Sequence, residues 1–136
     1  MKELPEGFRA IPRLSPFNSL VGPLYERRRG DEVSIGVRIE EKHTNSRGIC
    51  HGGMLATVAD LALGYAMLAK TGGKAFLTAH LAIDYAGAAR LGDWIESAVD
   101  IQRMGQRLAF ANGYLVCGDN RIVRASAIFA IGEKKE

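Results

Sequence analysis

The sequence is poor in the residues that mark several specialised classes of protein. It holds two cysteines, Cys50 and Cys117, which are too few for a disulfide framework, so we expect a reducing, cytoplasmic environment. Its 18 basic and 15 acidic residues give a net charge of +3, too small an excess for a nucleic-acid-binding surface. The longest run with little charge, residues 48–69, contains Asp60, and a carboxylate there disfavours a membrane span.

What remains is an average globular composition, with 47% hydrophobic and 24% charged residues. A chain of 136 residues suits one hydrophobic core. We predict an irregular N-terminal segment with a short helical turn over residues 1–19 and a single domain over residues 20–136. Residues 1–14 lack the apolar stretch of a signal peptide.

Hydrophobic periodicity predicts two strands, one long helix and then four further strands. The predicted strands cover residues 20–27, 33–40, 76–85, 94–104, 107–117 and 122–131, and the predicted helix covers residues 54–69. Strict alternation in the strand after the helix places five side chains on one face: Leu77, Ala79, Leu81, Ile83 and Tyr85. This order favours an α+β fold in which an antiparallel six-stranded sheet wraps around one long central helix.

The predicted helix is apolar on nearly every side, and such a helix is stable in water only when it is buried all round. One six-stranded sheet cannot enclose it completely. We therefore predict a homodimer, in which a second copy of the chain covers the rest of the helix.

A narrow stripe of small and polar residues interrupts the apolar surface of this helix. Gly53, Thr57, Asp60 and Gly64 follow one another at helical spacing, which places them on one side. The stripe would let a ligand or a second helix approach closely. Asp60 is then either a general base or a structural carboxylate that hydrogen bonds satisfy at an interface.

The residues His51-Gly52-Gly53 stand where the predicted helix begins. The first N–H groups of a helix have no intrahelical acceptor, and glycine leaves them accessible, so the segment has the features of an oxyanion hole. A simple turn is the alternative interpretation. We interpret His51 as a positioning group and not as a base.

Other chemistries find less support. Cys50 adjoins His51, but neighbouring residues in a loop seldom direct their side chains at each other, and no third group orients the pair. His43, His51 and His80 lack the spacing of a metal site, so we expect no metal. The sequence has neither a phosphate-binding loop nor a dinucleotide-binding glycine motif, and we expect no cofactor.

Two segments resemble a known family. Residues 45–60 read Asn-Ser-Arg-Gly-Ile-Cys-His-Gly-Gly-Met-Leu-Ala-Thr-Val-Ala-Asp, and residues 78–93 add a strand and a turn that ends in Leu-Gly-Asp. They resemble the signature of hotdog-fold acyl-CoA thioesterases, in the PaaI-like group of phenylacetic-acid-degradation and thioesterase superfamily member 2-like proteins. The resemblance extends over about residues 20–131 and implies hydrolysis of a coenzyme A thioester between two subunits.

The resemblance also implies roles for individual residues. Asp60 of one subunit would be the general base or the nucleophile. Asn45, His51 and the Gly52 N–H would face it from the other subunit. Asn45 would orient water or substrate, Gly52 would polarise the thioester carbonyl, and Thr78 would lie near the attacking water. The family usually forms tetramers built from two such dimers.

Coenzyme A is polyanionic, so basic side chains near the site are candidates for binding it. The candidates for contact with substrate or coenzyme A are Gly53, Thr57, Arg103, Gln106 and Arg107, with Arg90 and Arg124 behind them.

One segment departs from the family pattern, and two other functions remain open. Residues 86–89 are Ala-Gly-Ala-Ala where the family commonly has a bulky residue and a proline. This predicts a roomier, more flexible edge and leaves aryl and medium-chain acyl groups as alternatives. The other functions are a catalytically silent acyl-CoA sensor or scaffold and an enoyl-CoA hydratase, although we do not find the short Asp-His segment of the hydratases.

Overall fold

The computed structural model describes residues 3–134, with side chains described through Gly132. The elements in chain order are β1 (Arg9–Ala10), α1 (Pro16–Val21), β2 (Tyr25–Arg29), β3 (Glu32–Arg38), a 3-10 helix (Glu41–His43), α2 (Gly52–Thr71), β4 (Lys74–Tyr85), β5 (Trp94–Met104), β6 (Leu108–Cys117) and β7 (Asn120–Lys134).

The strands form one antiparallel sheet, and α2 packs against one face of it. Their order across the sheet is β1-β2-β3-β5-β6-β7-β4, so β4 lies at an edge. The helix contacts every strand from β3 to β7. The predicted arrangement of one long helix against an antiparallel sheet is confirmed, but the described chain has seven strands and the predicted number of six is wrong.

The differences from the predicted elements lie in the N-terminal part. Strand β1 has two residues, which is too short to show periodicity. Residues 16–21 form α1 because the Ser15 side chain caps it, accepting a hydrogen bond from the Asn18 N–H at 3.1 Å, and Pro16 suits the first helical position. The strand predicted from residue 20 therefore begins only at Tyr25.

Helix α2 is the centre of the hydrophobic core. It has 20 residues and ends at Gly72, whose φ of 67° is the left-handed conformation that stops helices. Its buried residues are Met54, Leu55, Val58, Ala59, Ala62, Leu63, Ala66 and Met67. By length and hydropathy α2 would also qualify as a membrane span. This is weak evidence for a span, because a helix that packs in the core of a domain passes the same test.

The prediction of which β4 side chains share a face is only partly right, because the strand contains a bulge. Thr78 pairs with Phe129 and His80 pairs with Ile128, so Ala79 has no partner and the alternation reverses there. Leu77 points away from the core and is 75% exposed. The side of β4 that faces α2 carries Phe76, Thr78, Leu81, Ile83 and Tyr85.

We expect Gly36→Ala to destabilise the fold. A methyl group at position 36 would overlap the indole ring of Trp94, which packs edge-on against Phe8 at a centroid distance of 5.1 Å. Displacing this ring should lower the free energy of unfolding by about 1–3 kcal/mol in urea denaturation. Gly132→Ala is the matched control, since its added methyl would lie 3.5 Å from the nearest atom, the Ala75 carbonyl oxygen. Equal effects of the two substitutions would contradict this account.

Candidate active site

The start of α2 presents one backbone donor whose surroundings are fixed. His51 caps the helix, and its Nδ1 accepts a hydrogen bond from the Gly53 N–H at 3.1 Å. The Tyr85 hydroxyl donates to the Gly52 carbonyl at 2.7 Å. The Gly52–Gly53 peptide is therefore held at both ends. The preceding peptide, which carries the Gly52 N–H, is held through the His51 carbonyl, which accepts from the Met54 N–H at 2.9 Å. Within the described chain the Gly52 N–H has no acceptor, so it can donate to an oxygen of a ligand.

Tyr85 is a site residue that the sequence analysis missed. The strand pattern placed it on the inner face of β4, but its contact with Gly52 joins residues 33 positions apart. No local pattern indicates such a contact, because it depends on how α2 crosses β4.

The side chain of Asn45 folds the loop that precedes α2. Its Oδ1 accepts hydrogen bonds from the Arg47 N–H at 2.9 Å and from the Ile49 N–H at 3.2 Å. The Cys50 N–H donates a hydrogen bond to the Ala89 carbonyl at 2.7 Å, and this bond joins the loop to the rest of the domain. Only the side-chain NH₂ group of Asn45 is left to contact water or substrate.

Asp60 lies two turns further along α2, on the side that the sheet leaves open. Its Oδ1 accepts a hydrogen bond from the Thr78 hydroxyl at 3.0 Å. The pair lines a shallow cavity of about 320 Å³ whose other walls are Leu61, Gly64, Tyr65, Leu68 and Phe76. The structure thus brings together Asp60 and Thr78, a carboxylate and a hydroxyl, in an apolar depression.

The donor and the carboxylate do not meet within one chain. Eight residues separate Gly52 from Asp60, which corresponds to about 12 Å along a helix axis. A base must lie within about 3 Å of the attacking water, and an oxyanion donor within about 3 Å of the carbonyl oxygen. One chain therefore supplies two half-sites along the same side of α2.

The rest of the stripe connects these half-sites. Gly53 is exposed, and Thr57 and Gly64 are half-buried. The Thr57 hydroxyl donates to the Gly53 carbonyl at 2.9 Å, so its proton is already used within the helix.

The basic candidates lie at different ends of the sheet. Leu108 pairs with Ala130, which also pairs with Leu77 of β4. The tip of the β5–β6 hairpin is therefore at the same end of the sheet as Thr78. Gln106 and Arg107 precede β6, which is two strands from β4, and Arg103 is on β5, which is three strands away.

The two further arginines lie elsewhere. Arg90 forms a bridge with Ile49 beside the Asn45 loop, and Arg124 pairs with Asp84 at 3.0 Å. The structure therefore does not group either of them with the hairpin arginines.

The loop of residues 86–89 is anchored, contrary to the prediction of a flexible edge. The N–H groups of Ala86 and Gly87 both donate to the Ile122 carbonyl, at 2.9 and 3.1 Å. Ala89 is fully buried. A side chain at Gly87 would press on Ile122, so the glycine at this position allows close packing.

Cys50 is no candidate nucleophile at neutral pH. Its Sγ lies 3.7 Å from the His51 carbonyl oxygen, not beside the imidazole ring. Burial raises the pKa of the Cys50 thiol to about 11. Among the described residues, no group of three or more His, Cys, Asp or Glu side chains could hold a metal ion.

Comparison with known proteins identifies the family of the chain. The thioesterase superfamily profile matches residues 47–123, which include both half-sites. The chain is 40% identical over 131 residues to a Pseudomonas aeruginosa protein named "Putative esterase PA0474", covering 95% of this chain and 98% of the relative. It is 33% identical over 82 residues to mouse acyl-coenzyme A thioesterase 13, covering 60% and 59% of the two chains.

A solved structure extends the likeness to three dimensions. Zebrafish thioesterase superfamily member 2 superposes with a TM-score of 0.79 and 27% identity, covering 87% of this chain and 88% of that one. The long helix against an antiparallel sheet is thus the hotdog fold, as the sequence predicted. The chain belongs to the thioesterase superfamily.

The Cys50 thiol should make the free energy of unfolding fall as the pH rises in the alkaline range. The folded state keeps this thiol protonated to about pH 11, whereas the unfolded chain ionises it near the ordinary pKa of 9.0. Stability is therefore lost as the pH rises across this interval. Between pH 9 and 11 the stability advantage of the wild type over Cys50→Ala should shrink by about 1–3 kcal/mol in urea denaturation. If the difference in the free energy of unfolding between wild type and Cys50→Ala stayed constant over this pH range, the thiol would not be buried in its protonated form.

Proposed function

We propose that the protein hydrolyses acyl thioesters of coenzyme A at a site formed between two copies of the chain. The observation that carries this proposal is the separation of an unpaired Gly52 N–H from the Asp60–Thr78 pair along one open side of α2. Two copies in antiparallel arrangement would place the Asp60 of one opposite the Gly52 of the other, twice in each dimer.

Hydrolysis of a thioester by water can be carried out by the Gly52 N–H, Asp60 and Thr78. Water attacks the thioester carbonyl, the carbonyl oxygen gains negative charge, and the Gly52 N–H stabilises it. Asp60 takes the proton of the water, with its carboxylate held by Thr78. The C–S bond then breaks, the leaving thiolate takes up the proton that Asp60 had accepted, and the products are a carboxylic acid and the free thiol of coenzyme A. Direct attack of Asp60 on the carbonyl, followed by hydrolysis of the anhydride, is the alternative role of this residue.

The free edge of β4 supports the dimer. This strand has 12 residues at the edge of the sheet, and long unpaired edges favour pairing with another strand. Thr78 lies next to Asp60, and Tyr85 lies next to Gly52. Antiparallel pairing of two β4 strands about Ala82, with Ala79 bulged as it is against β7, would set Thr78 of one copy opposite Tyr85 of the other. The two half-sites would then face each other.

The α2 side that would meet the second copy is suitably apolar. Leu61 and Tyr65 are half-buried, and Leu68 is 46% exposed. Burying such a surface in a dimer stabilises the assembly and removes water from the reacting groups.

The hairpin tip that carries Arg103, Gln106 and Arg107 is the proposed site for the anionic end of coenzyme A. It lies at the Thr78 end of the sheet, two strands from β4 on its β6 side and three on its β5 side. Arginine suits phosphate groups because its guanidinium can donate two parallel hydrogen bonds.

We expect the wild-type protein to release free thiol from acyl-CoA esters, measured with a thiol reagent over a panel of aryl and straight-chain substrates. Asp60→Asn keeps the shape of the side chain but removes the base, so kcat should fall by about 10²–10⁴-fold. Asp84→Asn is the matched control, because this carboxylate pairs with Arg124 on the other face of β4. Unchanged thiol release in Asp60→Asn would show that Asp60 is not the base. A wild-type protein that binds acyl-CoA without releasing thiol would instead be a sensor.

The Gly52 donor can be removed with little disturbance of the backbone. Gly52 is the first residue of α2, where proline fits, and His51 has the extended conformation that a following proline requires (ψ 137°). Gly52→Pro thus deletes the N–H, whereas Gly52→Ala retains it and adds the same Cβ, 3.4 Å from the Tyr85 ring.

Mixed dimers should show that the site spans two chains. Gly52→Pro alone should lower kcat by about 10²–10³-fold, and by clearly more than Gly52→Ala does. When Gly52→Pro and Asp60→Asn subunits are unfolded together and refolded as an equal mixture, half of the dimers combine one of each. Every such dimer has one intact site, so activity should return to about a quarter of the wild-type level. No recovery, with hybrid dimers verified by mass spectrometry, would mean that each chain holds a complete site.

A further inference from the structure

A second cavity adjoins the Gly52 half-site and involves the N-terminal helix. It has a volume of about 320 Å³ and lies between α1 and the first turns of α2. Leu20 and Val21 form its α1 wall, and Gly53, Met54 and Thr57 form its α2 wall. The 3-10 helix and the residue after it, residues 42–44, close the remaining side. A group attached to a carbonyl at Gly52 would reach this cavity directly.

Apart from Nε2 of His51, whose Nδ1 accepts from the Gly53 N–H, and the Lys42 ammonium group, the polar side-chain groups that line the cavity are hydrogen-bonded within the described chain. The hydroxyl of Thr44 donates to the Glu41 carbonyl at 2.7 Å, and that of Thr57 donates to the Gly53 carbonyl. The buried ring of His43 uses Nδ1 to accept from the Glu40 N–H at 2.9 Å and lies 2.6 Å from the Val21 carbonyl through Nε2. The walls therefore offer hydrocarbon surface and few free polar partners, which suits an apolar ligand.

The charged side chain of the cavity does not change this conclusion. Lys42 is exposed, and a lysine at a rim keeps its ammonium group in water while its methylenes cover apolar surface.

The two cavities along α2 serve different parts of a thioester. The Asp60 cavity, walled by Phe76 and Thr78, leads toward the end of the sheet that carries Arg103 and Arg107. The pantetheine arm of coenzyme A, which ends in phosphates, would follow that route. The acyl group on the other side of the carbonyl would then enter the cavity beside α1 of the facing copy.

We propose that the cavity between α1 and α2 binds the acyl group and that Leu20 sets the chain length it accepts. This inference rests on the proposed thioesterase function. The position of the α1 wall is fixed, because the His43 ring contacts the Val21 carbonyl and Ser15 caps the helix. Leu20 itself is 74% exposed and stands at the mouth of the cavity, so its size controls the length of chain that fits.

The test compares acetyl-, butyryl-, octanoyl- and lauroyl-CoA as substrates of Leu20→Ala and Leu20→Trp. The smaller residue should raise kcat/KM for the longest chain relative to octanoyl-CoA. The larger residue should lower kcat/KM for the two longest chains by about tenfold or more, since each methylene in an apolar pocket changes the rate severalfold. Turnover of acetyl-CoA should change little in both variants. Because Leu20 is exposed, neither substitution threatens folding.

Phe17→Ala is the control, since Phe17 is 54% exposed on the same helix but does not line the cavity. Chain-length profiles that stay fixed in both Leu20 variants, or that shift equally in Phe17→Ala, would overturn the inference while leaving the hydrolase intact. A uniform rise of KM for every substrate would assign the cavity to pantetheine and also overturn it. A wild-type protein inactive on every thioester would reject the proposed function itself.

Discussion

The spacing of two groups along α2 limits what one chain can do. The Gly52 N–H and the Asp60 carboxylate stay about 12 Å apart along the helix, and rotating the Asp60 side chain cannot close that gap. The same side of the molecule is incomplete in two other respects, because α2 has an uncovered face and β4 has an unpaired edge. A second copy placed there would complete the core, the sheet and the site together. The stability of such an assembly and its activity would then depend on the same contacts.

A second constraint is the rigidity of the donor. An oxyanion hole is effective when its donors are oriented before the reaction, so that no reorganisation accompanies the charge. The Gly52 N–H belongs to the His51–Gly52 peptide, whose carbonyl accepts hydrogen bonds from the Met54 and Leu55 N–H groups at 2.9 and 3.1 Å. The His51 cap and the Tyr85 hydroxyl hold the next peptide, between Gly52 and Gly53. The His51 N–H also donates to the His43 carbonyl at 2.8 Å, and His43 contacts α1. The start of α2 is thereby connected to the N-terminal helix that borders it.

The sequence alone was sufficient to predict the features that depend on short-range periodicity. The alternation in β3 and β5 and the apolar run of α2 predicted those elements and their order, and the spacing of Gly53, Thr57 and Asp60 predicted one open stripe. Features that depend on pairing were not predictable. The bulge at Ala79 exists only relative to β7, so the alternation of β4 misplaced Leu77. The Ser15 cap and Pro16 at the start of α1 were not recognised in the sequence analysis, which placed residues up to 19 in an irregular segment and Leu20 and Val21 in a strand.

The anchored loop of residues 86–89 bears on where substrate selectivity can arise. Small residues in this loop suggested a larger pocket, yet Gly87 is small because the Ile122 side chain lies against it. The loop therefore contributes close packing and an anchor for Cys50, through the Ala89 carbonyl. A wall anchored by these backbone hydrogen bonds adapts to different ligands only at a cost in stability. In the proposed enzyme, selectivity would then come from a wall whose side chains can change freely, and α1, with Leu20 largely exposed beside the Gly52 half-site, meets that condition.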